Sequence, residues 1–155
     1  ATPVSGGERL YSRFEYADYL RMECADFWQP DVSHAGGIME VRKIAAMAES
    51  HYIPVCPHNP SGPVANAATL QLAACIPNFY LLETMAIDIP WRADVSTEKV
   101  KFENSEMFIP DLPGLGIDIN EEEIAKHPYE CRNLRHYVGT LTDIRPEGST
   151  GYFQK

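Results

Sequence analysis

The stretch Phe27-Trp28-Gln29-Pro30-Asp31-Val32-Ser33-His34-Ala35-Gly36-Gly37-Ile38 decides the fold class of this sequence. It opens with aromatic residues typical of a short strand, passes through a loop of small and polar residues, and leads into a helix predicted over residues 37–50. Apolar residues recur at helical spacing in that helix, namely Ile38, Val41, Ile44, Ala45 and Ala48. A strand, a loop and an amphipathic helix therefore form one βα unit.

The same unit recurs along the first 90 residues. Upstream, residues 2–5 lead to Glu8 and precede a helix predicted over residues 13–22. Downstream, residues 52–56 are typical of a short buried strand that ends at His58, and a helix is predicted over residues 64–75. Residues 79–82 are typical of a fourth strand, which ends at Glu83. Serial βα units predict an α/β fold whose parallel strands are joined by right-handed crossovers.

A polar residue follows each of the four predicted strands, at Glu8, Asp31, His58 and Glu83. These residues are 23, 27 and 25 positions apart, and one βα unit of an eight-stranded barrel needs roughly 25–30 residues. In a parallel barrel the carboxyl ends of the strands meet on one face, where active sites lie. The spacing therefore predicts that the four side chains face one cleft.

Two of these residues also have an ordinary structural interpretation, whereas Glu83 is harder to explain in that way. Asp31 is a common type of turn or N-cap residue, and His58 lies next to prolines in a segment that favours a turn. Glu83 follows a mostly apolar run, where a buried carboxylate needs a partner or a metal ion. The coincidence of all four in one register favours a site over four unrelated loop residues.

Several segments resemble the enolase superfamily: Gly7-Glu8-Arg9-Leu10, the stretch from Gln29 to Ile38 quoted above, Pro57-His58-Asn59-Pro60-Ser61-Gly62-Pro63 and Leu82-Glu83. The sequence is most similar to the mandelate racemase/muconate lactonizing branch, and within it to the galactonate dehydratase-like acid-sugar dehydratases. Residues 109–116 also resemble the C-terminal segment of that group. The resemblance extends over nearly the whole chain and implies the C-terminal part of a modified TIM (β/α) barrel, with about four βα units and a C-terminal capping segment.

This organisation divides the chain in two. Residues 1–90 are predicted to form the C-terminal half of the (β/α) barrel, and residues 91–155 a capping or packing segment, because prolines and acidic residues increase from about residue 88. Asn120 precedes three glutamates and is predicted to cap a short helix that ends near residue 126. An extended tail is predicted from about residue 132.

The resemblance implies a role for each residue of the predicted cleft. Glu8 corresponds to a carboxylate ligand of Mg²⁺, and His58 to the base that removes the proton next to the substrate carboxylate. Asp31 corresponds to the catalytic partner that orients His58, and Glu83 to a group that stabilises the enediolate. His34 is a candidate substrate-binding residue, although a histidine in such a loop more often caps the following helix.

The activity implied is the Mg²⁺-dependent dehydration of a sugar acid, in which a galactonate-like aldonate becomes a 2-keto-3-deoxy acid through α-proton abstraction and an enediolate. The deprotonated carboxylate carries a second negative charge, which a hard divalent cation with oxygen ligands neutralises. A racemase, epimerase or cycloisomerase of the same superfamily would use the same enediolate. A non-catalytic relative that keeps the fold is the alternative from another class.

Length and composition bear on the size of the whole protein, its partners and its compartment. The chain has 155 residues, so the resemblance implies the C-terminal part of an enzyme on the order of 400 residues, and the chain alone is expected to be inactive. A net charge of −9 disfavours binding to nucleic acid. No apolar run is long enough to span a membrane and no signal peptide is recognised. Four scattered cysteines are typical of a cytoplasmic protein. A small-molecule sugar acid and further copies in a homo-oligomer are the expected partners.

Overall fold

The computed structural model describes residues 1–85, 90–97 and 100–129, and the predicted tail lies outside the described residues. Strand β1 (Ser5–Gly6) pairs in parallel with β2 (Phe27–Trp28). Two isolated parallel bridges extend this pairing, one between Trp28 and Val55 and one between Val55 and Phe79. Four chain segments therefore lie side by side in the order of the sequence, which confirms the serial βα arrangement.

Three helices alternate with these parallel segments, and their bounds follow the sequence pattern closely. They are α1 (Arg13–Arg21), α2 (Ile38–Glu49) and α3 (Pro63–Ala73). Helix α2 lies directly inside the predicted range, with Gly37 and Ser50 as its cap residues. Helix α3 begins at Pro63, in the first turn, where the missing proline N–H leaves no helical hydrogen bond unmade.

The hydrophobic core lies between the parallel segments and the helices. Val41 and Ile44 of α2 are fully buried, as is Val55 of the third segment. The rings of Tyr16 from α1 and Trp28 from β2 have centroids 5.0 Å apart. All of these side chains belong to one hydrophobic cluster, which joins α1 and α2 to the parallel segments.

Two of the predicted strands are shorter than the sequence indicated. Tyr52 was expected to open a buried strand, but it is 97% exposed with a φ of 59° and belongs to the turn after α2. Only Val55 of residues 52–56 makes a sheet bridge, and only Phe79 of residues 79–82 does so. A short apolar run does not by itself distinguish a strand from a turn that packs on a helix end.

The described part of residues 91–129 contains a hairpin and a short helix. Strands β3 (Phe102–Glu103) and β4 (Glu106–Met107) are antiparallel, joined by Asn104 and Ser105, which both have positive φ. The hairpin was not predicted, because Asn-Ser is a weaker turn signal than Asn-Gly. Helix α4 (Glu121–Ala125) has the predicted cap, since the Asn120 side chain accepts the Glu123 amide hydrogen bond at 3.2 Å.

The boundary predicted between barrel and capping segment at residue 90 stays a prediction. Within the described residues, none of the helices is both long enough and apolar enough to cross a membrane.

Candidate active site

A buried aspartate and a histidine meet at the carboxyl ends of the second and third parallel segments. Asp31 and His58 each come three residues after a bridged residue, Trp28 and Val55, so they lie at the same level. Asp31 Oδ2 is 2.8 Å from His58 Nδ1. The Asp31 side chain is 3% exposed and that of His58 is 16% exposed. The pair therefore forms a carboxylate–imidazole dyad with the histidine at the mouth.

The backbone of the following loop holds the Asp31 carboxylate in place. Oδ1 accepts hydrogen bonds from the amides of Ser33 at 2.7 Å and His34 at 3.2 Å. Rotation of the carboxylate would break both bonds, so Oδ2 stays directed at the imidazole. The local reason is that an Asp followed by a tight polar loop accepts hydrogen bonds from the backbone of that loop, which fix its carboxylate.

Glu8 lies on the other side of the same imidazole. Its Oε2 is 3.3 Å from His58 Nε2, and its side chain is 44% exposed. The preceding Gly7 has a φ of 111°, a conformation that favours glycine. The Tyr16 hydroxyl donates a hydrogen bond of 2.7 Å to the Gly7 carbonyl. Tyr16 therefore supports the turn that presents Glu8.

Tyr16 is a residue that the motif analysis missed. Burial raises the pKa of its hydroxyl well above the ordinary tyrosine value, so the group stays protonated and remains a donor to Gly7. The sequence offers one indication of its importance, its position on the inner face of α1, and that position indicates a packing role. Only the fold shows that its hydroxyl reaches the turn before Glu8.

His34 lies beside the dyad. Its Nδ1 is 3.8 Å from Asp31 Oδ2 and its side chain is 48% exposed. Its ring centroid is 6.2 Å from that of His58 and 6.3 Å from that of Tyr11. The structure thus brings this predicted substrate contact to the mouth of the cleft, where its imidazole is accessible.

Glu83 is the predicted site residue that the structure does not join to the others. It is exposed and follows the bridged Phe79 by four residues, one more than the interval that aligns Asp31 and His58. It makes no hydrogen bond or ion pair with any other residue of the described ranges. Its role in stabilising the enediolate stays a prediction.

A cavity of about 710 Å³ lies beside the loop after Asp31, which lines it with Val32 and Ser33. Its lining is largely apolar, and includes Val32, Ala68, Trp91, Ile119, Ile124 and His127. The rings of Trp91 and His127 are stacked there, with centroids 3.9 Å apart and planes 11° apart. Arg92 adds a hydrogen bond of 2.6 Å to the Ser61 carbonyl. The segment after residue 90 therefore packs on the loops that carry Asp31 and His58.

The oxygen donors of the cluster fit part of a Mg²⁺ coordination sphere. Both oxygens of Asp31 are engaged, Oδ1 by two amides and Oδ2 by His58. Glu8 offers a half-exposed carboxylate at the mouth of the cleft. Mg²⁺ is commonly held in proteins by one or two carboxylates with waters and substrate oxygens in the other positions. Glu8 is therefore the residue of this cluster suited to be such a ligand.

Comparison with known proteins defines the class to which this arrangement belongs. Residues 1–123 match the family model described as Enolase C-terminal domain-like. The chain belongs to this family, and the predicted α/β fold, as part of the barrel domain of the enolase superfamily, is confirmed.

Individual relatives refine this assignment. The chain is 41% identical over 152 residues to a D-galactonate dehydratase of Variovorax paradoxus (strain S110), covering 91% of this chain and 40% of that protein. It is 37% identical over 133 residues to a D-xylonate dehydratase of Haloferax volcanii, covering 86% of this chain and 32% of that protein. The chain thus spans 32% to 40% of the length of these two curated relatives.

Solved structures similar to this chain support the same family assignment. A mandelate racemase/muconate lactonizing enzyme-like protein from Rubrobacter xylanophilus DSM 9941 is 35% identical with a TM-score of 0.79, covering 84% of this chain and 34% of that one. A candidate L-alanine-DL-glutamate epimerase from Burkholderia xenovorans strain LB400, bound to magnesium and fumarate, is 33% identical with a TM-score of 0.77, covering 81% of this chain and 31% of that one.

Proposed function

We propose that this chain supplies the base-carrying half of the active site of a Mg²⁺-dependent sugar-acid dehydratase. The observation that carries the proposal is the dyad: Asp31 Oδ2 is 2.8 Å from His58 Nδ1, and the Glu8 carboxylate lies on the Nε2 side of the same ring. The names of the relatives support the substrate class, since they act on galactonate and xylonate.

In this mechanism His58 Nε2 takes the proton from the carbon next to the substrate carboxylate. Nδ1 is engaged by Asp31, so Nε2 is the nitrogen that faces the mouth of the cleft. Asp31 orients the ring and stabilises the imidazolium that forms. Overall, the abstracted α-proton and the neighbouring hydroxyl leave as one molecule of water, which gives an enol that tautomerises to the 2-keto-3-deoxy acid.

The metal ion has one task in this scheme. Glu8 would hold Mg²⁺, which would supply positive charge to offset the second negative charge on the substrate carboxylate when its α-proton leaves. Glu83 would hydrogen-bond an oxygen of the substrate carboxylate. In a protein as long as the dehydratases named above, further ligands would come from residues outside these 155.

An epimerase is the second candidate function, because one similar structure belongs to a candidate epimerase bound to magnesium and fumarate. An epimerase returns the proton to the same carbon and keeps the hydroxyl, whereas a dehydratase loses it as water. The residues of the dyad serve either reaction. The product therefore decides between the two.

The test uses the full-length protein that contains this chain, incubated with D-galactonate, D-xylonate and other aldonates in the presence of Mg²⁺. Formation of a 2-keto-3-deoxy acid, detected as its semicarbazone, is the expected result. NMR of the same mixtures detects epimerised acid without water loss. His58→Asn should abolish either reaction, and His51→Asn, at an exposed position after α2, is the matched control. Turnover by His58→Asn at the rate of the control would contradict the proposal.

A further inference from the structure

Three side chains of the cleft bring together ligand atoms, two of which are of a type that Mg²⁺ does not prefer. Asp31, His34 and His58 each present one ligand atom, and these three atoms lie within 4.8 Å of one another. Two of them are imidazole nitrogens. Imidazole suits Zn²⁺ and other transition metals, whereas Mg²⁺ prefers carboxylate, carbonyl and water oxygens.

We propose that Asp31, His34 and His58 form a binding site for Zn²⁺, separate from the Glu8 position, and that zinc bound there inhibits the enzyme. The ligand atoms are Asp31 Oδ2 and the Nδ1 atoms of both histidines. Zinc binding stands on this geometry alone. The inhibition rests on the function proposed above, because zinc would occupy the atoms through which Asp31 orients the base.

Two of the three distances between ligand atoms lie within about 0.5 Å of the spacing that a tetrahedral ion requires, and all three atoms lie within 4.8 Å of one another. Zn–N and Zn–O bonds of about 2.0 Å place tetrahedral ligand atoms about 3.3 Å apart. Asp31 Oδ2 is 2.8 Å from His58 Nδ1 and 3.8 Å from His34 Nδ1. The His34 side chain is 48% exposed, and a rotation of its ring towards the other two ligands would shorten the longer distance. A water molecule would complete three-ligand coordination, as in other zinc sites with three protein ligands.

The surroundings also supply the outer hydrogen bonds that zinc ligands usually have. Asp31 Oδ1 is held by the amides of Ser33 and His34, which leaves Oδ2 as the ligand atom. With His58 Nδ1 on the metal, the ring proton resides on Nε2. Glu8 Oε2, 3.3 Å from that nitrogen, is placed to accept it. The carboxylate–histidine–metal arrangement is thus already assembled around His58.

The test titrates the full-length protein with Co²⁺ as a spectroscopic substitute for zinc, in saturating Mg²⁺ so that the Glu8 position is occupied. Exposed thiols such as Cys24 and Cys75 are alkylated first. We expect tetrahedral d–d bands without thiolate charge-transfer bands. His34→Gln should weaken cobalt and zinc binding about 10-fold or more, since even loss of an outer partner costs that much. His51→Gln, at an exposed histidine away from the cluster, should bind as wild type.

The same proteins are then assayed for dehydration with and without zinc, each normalised to its own zinc-free rate. Zinc should inhibit wild type and His51→Gln, and the inhibition constant of His34→Gln should rise in parallel with its dissociation constant. Equal zinc affinity of His34→Gln and wild type, or competition between Mg²⁺ and cobalt for one site, would overturn the proposal. If the protein binds zinc as expected but has no dehydratase activity, the zinc site is supported. The proposed inhibition and the proposed function are then both wrong.

Discussion

Asp31 Oδ2 lies 2.8 Å from His58 Nδ1, although the two residues are 27 positions apart in the chain. The contact follows from the sheet register, because Trp28 and Val55 form a parallel bridge and each dyad residue comes three positions later. Burial of Asp31 beneath the loop that follows it makes this contact short and fixed.

Replacement of Asp31 by Asn should lower the turnover of the full-length enzyme about 10²-fold or more, because the general base loses the charge that orients it and stabilises its protonated form. Steady-state kinetics with an aldonate and Mg²⁺ measure the effect. Asp18→Asn, on the exposed face of α1, is the matched control. Near-normal turnover of Asp31→Asn would refute the dyad.

Variants of Glu8 and His58 should show that the first residue is a metal ligand and the second is the base. His58→Asn should abolish exchange of the substrate α-proton with solvent deuterium and leave Mg²⁺ affinity intact. Glu8→Gln should weaken Mg²⁺ binding first, with activity restored in part by excess metal. Calorimetric titration of Mg²⁺ and NMR of the exchange measure the two properties. If His58→Asn loses the metal while Glu8→Gln keeps it, the two assignments are reversed.

Tyr16→Phe should lower the free energy of unfolding by about 1 kcal/mol, because the Gly7 carbonyl loses its hydrogen bond from the hydroxyl. Urea unfolding followed by circular dichroism measures the loss. Tyr52→Phe, at a side chain that is 97% exposed, should have no measurable effect. An unchanged stability of Tyr16→Phe would show that the hydroxyl does not support the Gly7 turn.

The pH dependence of stability should also report on Tyr16. Burial raises its pKa in the folded state, while the unfolded chain ionises it near pH 10. The contribution to stability is therefore complete below about pH 10 and is lost as the pH rises above that value. Urea unfolding midpoints measured between neutral and alkaline pH should fall less steeply in Tyr16→Phe than in wild type. Parallel curves for the two proteins would contradict the assignment.

Gly7→Ala should destabilise the protein by about 1–3 kcal/mol, the usual cost of a strained backbone position. Gly7 has a φ of 111°, and a Cβ there would lie 2.7 Å from the Tyr16 hydroxyl oxygen. Gly37 also has a positive φ, but a Cβ there would contact nothing within 4 Å. Gly37→Ala therefore measures the cost of the backbone strain without a steric clash. In the double variant Gly7→Ala/Tyr16→Phe the loss should be smaller than the sum of the single losses, because the hydroxyl that clashes is gone. Additive losses would show that the two residues do not touch.

The sequence was sufficient for the order of the elements and for the helices. Apolar spacing in residues 38–48 matches the face of α2 that is buried, and Asn120 caps α4 as its type predicts. The strands were harder, because Tyr52 is an apolar residue in a turn and only one residue each of the third and fourth segments makes a bridge. Strand bounds depend on neighbours that are distant in the chain, whereas helix bounds depend on neighbours within four residues.

For the candidate site, the sequence by itself determined which residue types end the parallel segments, and their spacing predicted one cleft with Glu8, Asp31, His58 and Glu83. Only the tertiary structure decided which atoms meet: Nδ1 of His58 with Asp31, Nε2 with Glu8, and the Tyr16 hydroxyl with the turn before Glu8. It also left Glu83 apart from them. The physical reason is that residue spacing predicts the segment on which a side chain lies, and its position along that segment only to within a residue or two. Contacts of about 3 Å require the register of the sheet and the packing of the core, which arise from the whole fold.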